Sequence, residues 1–110
     1  MVIIVEKESF MSAIPIQKTL SKEELYTLIQ NYQKNHDQKS KEMIILSNTK
    51  LVLSLMKRFY QKSNHYEDLF QVGIVGLIKA VDHFDTNYQL QFSTYAVPLI
   101  IGEMKRYLRD

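Results

Sequence analysis

Apolar residues recur along this chain at helical spacing, in runs separated by short polar breaks. Met1 to Thr19 shows no sustained period and contains Pro15, which predicts a flexible lead-in over residues 1–20 and one domain over residues 21–110. Ser21 with Glu24 three residues on makes a capping box, and Leu20 with Leu25 can form a hydrophobic staple across it. Leu25, Leu28, Ile29 and Tyr32 follow at i, i+3, i+4, i+7, predicting a packing helix to about Lys34. Asn35-His36-Asp37 reads as a turn, with Asp37 or Ser40 capping a second helix through Met43, Ile44, Ile45 and Leu46. Ser47-Asn48-Thr49 can bond to the local backbone, so a break or kink is expected there. The period resumes from Lys50 to about Gln61, with Val52, Leu55, Met56 and Phe59 on one face.

After a turn at Lys62-Ser63, Asn64 with Glu67 is a second start signal of capping-box type. The helix it opens runs to about His83 and is expected to bury Phe70, Ile74, Leu77, Ile78 and Val81. Gly73, Gly76 and Ala80 form a small-residue stripe, and glycine inside a helix is costly enough to predict a closely crossing partner helix. A phosphate-binding glycine loop is disfavoured, since the preceding strand and the third glycine are missing. Beyond a polar loop from Asp85 to Gln91, Ser93 or Thr94 is expected to cap a last helix, with Pro98 about one turn in. Ile100, Met104, Tyr107 and Leu108 line one face of it, and Gly102, Lys105, Arg106 and Arg109 another. No segment keeps a period of two, so the fold class is all-α, a compact bundle of four or five helices.

Composition narrows the function classes. With 110 residues and no cysteine, the chain is one small domain without disulfides or cysteine zinc sites. MVIIV is too short for a secretory signal and no later run reaches membrane-spanning length, so a cytoplasmic protein with no membrane partner is expected. The three histidines are isolated, and there is no nucleophile motif or catalytic carboxylate pair. Neither an enzyme nor a metal or other cofactor is expected. The net charge is only +2 but unevenly placed. Lys50, Lys57, Arg58 and Lys62 give Asn48 to Lys62 a charge of +4, while four acids against Lys79 give Asn64 to Asn87 a charge of −3. Such a dipolar surface suggests two partners of different charge.

Lys105, Arg106 and Arg109 taken alone are an ordinary solvated face. Beside Phe84, Phe92 and Tyr95 they become a candidate for single-stranded nucleic acid, which is held by cations along the phosphates and by rings that stack on bases. The same residues carry a resemblance. Asp68-Leu69-Phe70-Gln71-Val72-Gly73, then Gly76-Leu77-Ile78-Lys79-Ala80, Phe84-Asp85, Phe92-Ser93-Thr94-Tyr95-Ala96, and Ile101-Gly102-Glu103 with Arg106 resemble region two of bacterial sigma factors, the promoter-recognition subunits of RNA polymerase. The pattern is most similar to the sporulation and stress branch, sigma-F, sigma-G and sigma-B, and covers roughly Ser21 to Asp110.

The resemblance implies core RNA polymerase and promoter DNA as partners. Asp68, Gln71, Val72, Ile74 and Ile78 match the positions that dock on the coiled coil of the polymerase β′ subunit, although packing is an equal reading for the two isoleucines. Phe84, Asp85, Tyr95 and Leu99 would wall a pocket for an adenine flipped from the non-template strand of the −10 element, with Tyr95 the ring of choice. Asn48, Leu51 and Ser93 would form a second pocket for a downstream base, Asn48 serving equally well as a helix-breaking cap. Phe92 and Thr94 belong to the same DNA-facing run, and Lys105, Arg106 and Arg109 would meet the upstream duplex and its phosphates. An acidic anti-sigma partner is a further expectation, docking on the basic segment with Lys50, Lys57 and Arg58. Two departures from the housekeeping pattern stand out. Pro98-Leu99 replaces a pair of tryptophans, and Tyr88, Gln89, Leu90 and Gln91 replace basic loop residues, which implies weaker spontaneous promoter opening. The later family regions do not follow Asp110, so a truncated chain is expected over a naturally split factor.

Overall fold

At Ser21, at Asp37 and over Ser47-Asn48-Thr49, polar side chains bond to the local backbone and mark helix ends. The computed structural model describes residues 20–59, 65–87 and 90–109; all of the expected lead-in over residues 1–20 except Leu20, the turn at Lys62-Ser63 and the start residue Asn64 lie outside them. Helix α1 is Lys22–Asn35. The Glu24 amide donates to Ser21 Oγ at 3.1 Å and the Ser21 amide to Glu24 Oε1 at 3.0 Å, so both arms of the box are closed. Glu23 and Glu24 also face the positive end of the helix dipole. The chain leaves α1 through His36, at φ 51°, whose amide donates to the Tyr32 carbonyl.

Asp37 is the cap of α2, Gln38–Ser47. Its Oδ2 accepts from the Ser40 hydroxyl at 2.7 Å and the Ser40 amide at 3.3 Å, and these bonds to the anionic form hold its carboxyl below the usual carboxylate range. Ser40 is therefore the buried partner of the cap, further tied by Asn31 Nδ2 at 3.0 Å. The break falls at Asn48. Ser47 Oγ and Asn48 Nδ2 both donate to the Ile44 carbonyl, at 2.9 and 2.8 Å, and Thr49 Oγ1 donates to the Ile45 carbonyl at 3.0 Å. All three polar side chains thus bond back to the preceding turn. Helix α3 then starts afresh as Thr49–Met56, and Val52, Leu53, Leu55 and Met56 enter the core. It tightens into one 3₁₀ turn, Lys57–Phe59, which buries Phe59.

Helices α4, Tyr66–His83, and α5, Phe92–Arg109, run antiparallel as the central pair. Gly73 and Gly76 set their spacing. A Cβ at Gly76 would lie 2.6 Å from the Leu99 carbonyl oxygen and 2.7 Å from Ile100 Cα, and one at Gly73 would lie 2.6 Å from Met104 Cε. The expected crossing helix is α5. This approach also shifts the buried stripe of α4 away from the expected one. Leu69, Gly73, Gly76, Leu77, Ala80 and Val81 are buried, while Phe70, Ile74 and Ile78 are only half-buried. The small residues let the partner backbone in so far that the larger side chains move to the flanks.

Helix α5 starts earlier than the expected cap. The Tyr95 amide donates to the Gln91 carbonyl, so Ser93 and Thr94 sit inside the first turn and Pro98 two turns in. The missing proline donor leaves the Thr94 carbonyl without its i+4 partner, which is tolerable because both residues are exposed. The described residues contain helices and no strand, and none of these helices is long and apolar enough to cross a membrane.

Candidate nucleic-acid interface

Where α4 ends and α5 begins, four rings meet. Phe84 is their hub: Tyr26 and Phe92 pack edge-on against it at 5.3 and 5.2 Å between centroids, and Tyr95 lies tilted at 5.5 Å. Phe84 and Phe92 are each 2% exposed, so neither offers a ring face to a ligand. The expectation of three stacking rings is corrected to one: Tyr95 is half-buried with Phe84 behind it, and Phe92 belongs to the floor. Asp85 is exposed and its Oδ1 accepts from the Asn87 amide at 2.9 Å, fixing the turn into the loop. Ser93 and Thr94 are exposed beside Tyr95, and Leu99 is half-buried one turn further on. Tyr88 and Gln89 of the neutral loop are outside the described residues.

Helix α1 holds this loop in place, a role its sequence reading as plain packing missed. Gln33 Nε2 donates to the Val81 and Phe84 carbonyls, both at 2.8 Å, and so completes the C-terminal end of α4. Gln30 Nε2 donates to Thr86 Oγ1 at 2.7 Å, and the Tyr26 hydroxyl reaches the Leu90 carbonyl at 3.5 Å. Tyr26, Gln30 and Gln33 stand at i, i+4, i+7, so a second, polar stripe on α1 was the available signal.

A cleft of about 350 Å³ opens next to these rings, lined by Leu20, Lys22, Leu25, Tyr26, Asn48, Gln91, Phe92 and Ser93. It brings together Asn48 and Ser93, two of the three residues assigned to a second pocket; Leu51 is half-buried and not in the lining. The Asn48 amide nitrogen is committed to the Ile44 carbonyl and Ser47 Oγ, which leaves Oδ1 as its acceptor for a ligand. Lys22 Nζ sits 5.5 Å above the Tyr26 ring at the cleft edge.

The basic residues lie elsewhere. Lys105, Arg106 and Arg109 are exposed at the far end of α5, starting about 15 Å from Tyr95 at 1.5 Å per residue. With Gly102 they line one shallow hollow; Phe59, Lys105, Leu108 and Arg109 line another. The second hollow adjoins the 3₁₀ turn that carries the exposed Lys57 and Arg58, whereas Lys50 is exposed two turns back. Glu103 bonds to Lys79 across the α4/α5 seam and lies 3.6 Å from Arg106. The Lys79 ammonium, with Arg106 beside it, holds the Glu103 carboxyl below its ordinary range.

On the outer side of α4, Asp68 and Gln71 are exposed, and Val72, Ile74 and Ile78 are half-buried. Val75, 47% exposed between Gln71 and Ile78, was missed by the motif-based reading although it shares their face at i+4 and i−3. Tyr107 donates its hydroxyl to Asp68 Oδ2 at 3.4 Å, and burial together with that carboxylate pushes the phenol up.

The sequence matches the family described as Sigma-70 region 2 over residues 44–110. The chain belongs to that family. Relatives of sigma-70 region 2 type include the RNA polymerase sigma-G factor of Bacillus subtilis (strain 168), 44% identical over 99 residues, which are 90% of this chain and 37% of the relative. The RNA polymerase sigma-F factor of Bacillus licheniformis is 48% identical over 91 residues, 83% of this chain and 35% of the relative. The RNA polymerase sigma-B factor of Bacillus subtilis (strain 168) is 40% identical over 91 residues, again 83% and 35%. The resemblance to the sigma-F, sigma-G and sigma-B branch therefore holds, and this chain spans about a third of the length of those relatives. The α1 clamp precedes the span matched by sigma-70 region 2.

Proposed function

We propose that this chain is the polymerase-docking and promoter-capturing part of a transcription initiation factor. The outer face of α4 binds core RNA polymerase through the β′ coiled coil, using Asp68, Gln71, Val72, Ile74 and Ile78, with Val75 added to that set. The region around Tyr95 captures a flipped adenine of the non-template −10 strand, and the Asn48–Ser93 cleft takes a downstream base. The observation that carries this reading is the half-buried Tyr95 ring, backed by Phe84, which in turn packs on Phe92, with Ser93 and Thr94 exposed just before it in the chain and Asp85 exposed next to Phe84. A base leaving the duplex forfeits a few kcal/mol, and a ring that stacks on it returns about 1–3 kcal/mol. Phe84 and Phe92 act by holding Tyr95 in place rather than by stacking on DNA, and Leu99 borders the pocket.

The test pairs two variants in complex with core polymerase. Tyr95→Ala should lower affinity for a single-stranded −10 oligonucleotide by about fivefold or more, from the loss of stacking, with binding to a β′ coiled-coil fragment unchanged in calorimetry. Gln71→Ala should do the reverse. Equal oligonucleotide affinity for Tyr95→Ala and the unaltered chain would end this reading.

A second reading has its own observation, the exposed Lys57 and Arg58 on the 3₁₀ turn next to the Lys105–Arg109 end of α5. An acidic anti-sigma factor docking there, with Lys50 at the margin, would hold the domain inactive. Reversing Lys57 and Arg58 to Glu should abolish that association while polymerase binding is kept.

A further inference from the structure

The first two helices leave an apolar groove open between them. It has a volume of about 380 Å³ and is lined by Leu20, Glu23, Glu24, Thr27 and Leu28 from α1 and its entry, and by Met43 from α2. Met43 is 40% exposed, a large apolar side chain that the described residues leave uncovered. Two of the three polar side chains in the lining are already engaged. Thr27 Oγ1 donates to the Glu23 carbonyl at 2.9 Å, and Glu24 Oε1 accepts from the Ser21 amide at 3.0 Å. An occupant therefore gains mainly by covering apolar surface, and the exposed Glu23 carboxylate favours one that also brings a cation.

The chain carries a segment of that chemistry within reach. Ile14-Pro15-Ile16 and Lys18 shortly precede Leu20, the residue at which the chain joins the lining of the groove. Proline biases the residue before it towards extended backbone, and residues two apart on an extended chain share one side, so Ile14 and Ile16 make an apolar pair. They stand six and four residues ahead of Leu20, a reach of roughly 20 and 13 Å at about 3.3 Å per residue. Both exceed the spacing of about 8–10 Å between packed helix axes, so either isoleucine can cross from α1 to Met43. We infer that the groove is the seat of this chain's own residues 14–16, with the isoleucines covering Leu28 and Met43 and Lys18 pairing with Glu23. Leu20 lines both this groove and the Asn48–Ser93 cleft, so a segment seated in the one is anchored at the edge of the other. Leu28 and Met43 belong to none of the surfaces assigned to polymerase or promoter, and docking on them leaves those surfaces open.

The chain has no cysteine, so two introduced thiols report proximity without interference. One variant of the 110-residue chain combines Ile16→Cys with Met43→Cys, and a control combines Ile16→Cys with Val75→Cys, at an exposed position on α4. Both are oxidised with glutathione disulfide at micromolar protein concentration, and circular dichroism checks that their helix content is unchanged. The disulfide within one chain should form at least about tenfold faster in the Met43→Cys variant, since docking raises the local concentration of the two thiols. Trypsin cleavage after Lys18 supplies a second measurement on a chain without thiols. Met43→Gln keeps the length of the side chain but removes apolar surface from the groove, and should speed that cleavage by about fivefold. Equal oxidation rates in the two cysteine variants, or equal cleavage of Met43→Gln and the unaltered chain, overturn the inference. Disulfide-linked dimers whose yield rises with protein concentration overturn it in favour of a second copy in the groove. Slow oxidation of both variants overturns it as well and leaves the groove to a different protein.

Discussion

Replacing Gly76 with alanine should destabilise the domain, even though alanine is the better helix former. The new Cβ would stand 2.6 Å from the Leu99 carbonyl oxygen, 2.7 Å from Ile100 Cα and 3.0 Å from Ile100 N. All three are main-chain atoms of α5, so no side chain can swing aside. Ordinary contact begins near 3.4 Å, which requires the two helices to part by about 0.8 Å at this crossing. A gap of that size forfeits about a quarter to a half of each dispersion contact along the seam. Overpacking of this kind costs about 1–3 kcal/mol, and the helix preference of alanine returns about 0.5–1 kcal/mol. Taking the middle of each range, the net loss is about 1.25 kcal/mol, or a fall in Tm of roughly 5–10 °C for a chain of this size. Thermal and urea unfolding followed by circular dichroism measure it directly. Gly73→Ala should lie between Gly76→Ala and the unaltered chain, because the atoms that it meets, Met104 Cε at 2.6 Å and Cγ1 of the buried Val52 at 2.8 Å, belong to side chains and not to the main chain. A Gly76→Ala protein as stable as the parent would refute the claim that glycine sets the α4/α5 spacing.

Two further outcomes follow from the clamp and the seam. Gln33→Met keeps the shape of the side chain but removes the amide that serves the Val81 and Phe84 carbonyls, so about 1–3 kcal/mol of stability should be lost in urea titrations. Gln33→Glu, which also lacks the donor, should lose a similar amount if the amide is what matters. Glu103 has its folded pKa depressed below the ordinary 4.5, chiefly by the Lys79 bond, so its contribution is present above that value and lost as pH falls through the lower folded one. Glu103→Gln should therefore flatten stability against pH in the acid range below about pH 5, and an unchanged acid limb would contradict that linkage.

Local chemistry was legible in the sequence wherever one residue acts on its neighbours. The capping box at Ser21 and Glu24 and the break over Ser47-Asn48-Thr49 formed as expected, because a short polar side chain bonds within the next turn whatever surrounds it. The glycine stripe correctly foretold a crossing helix. What the sequence hid was depth. Phe84 and Phe92 look like ligands for bases in a motif and are floor in the structure, since exposure is set by how four elements converge. The start of α5 differs from the expected cap because the first-turn bond, from the Tyr95 amide, goes to the Gln91 carbonyl, a main-chain feature that no residue type announces. The α1 clamp was invisible because its partners, Val81, Phe84, Thr86 and Leu90, are about fifty to sixty residues away and mostly main-chain atoms.

The glycine contact between α4 and α5 makes the outer face of one helix and the Tyr95-bearing start of the other parts of a single stiff lever. Force or displacement applied at Gln71 and Val75 arrives at Tyr95 without slack, because no compressible side chain separates the two backbones at Gly76. Under the proposed function, seating the domain on polymerase would at once fix the position of the base-capturing ring. A loosened Gly76 crossing would then blur the start of promoter opening even if both surfaces kept their chemistry.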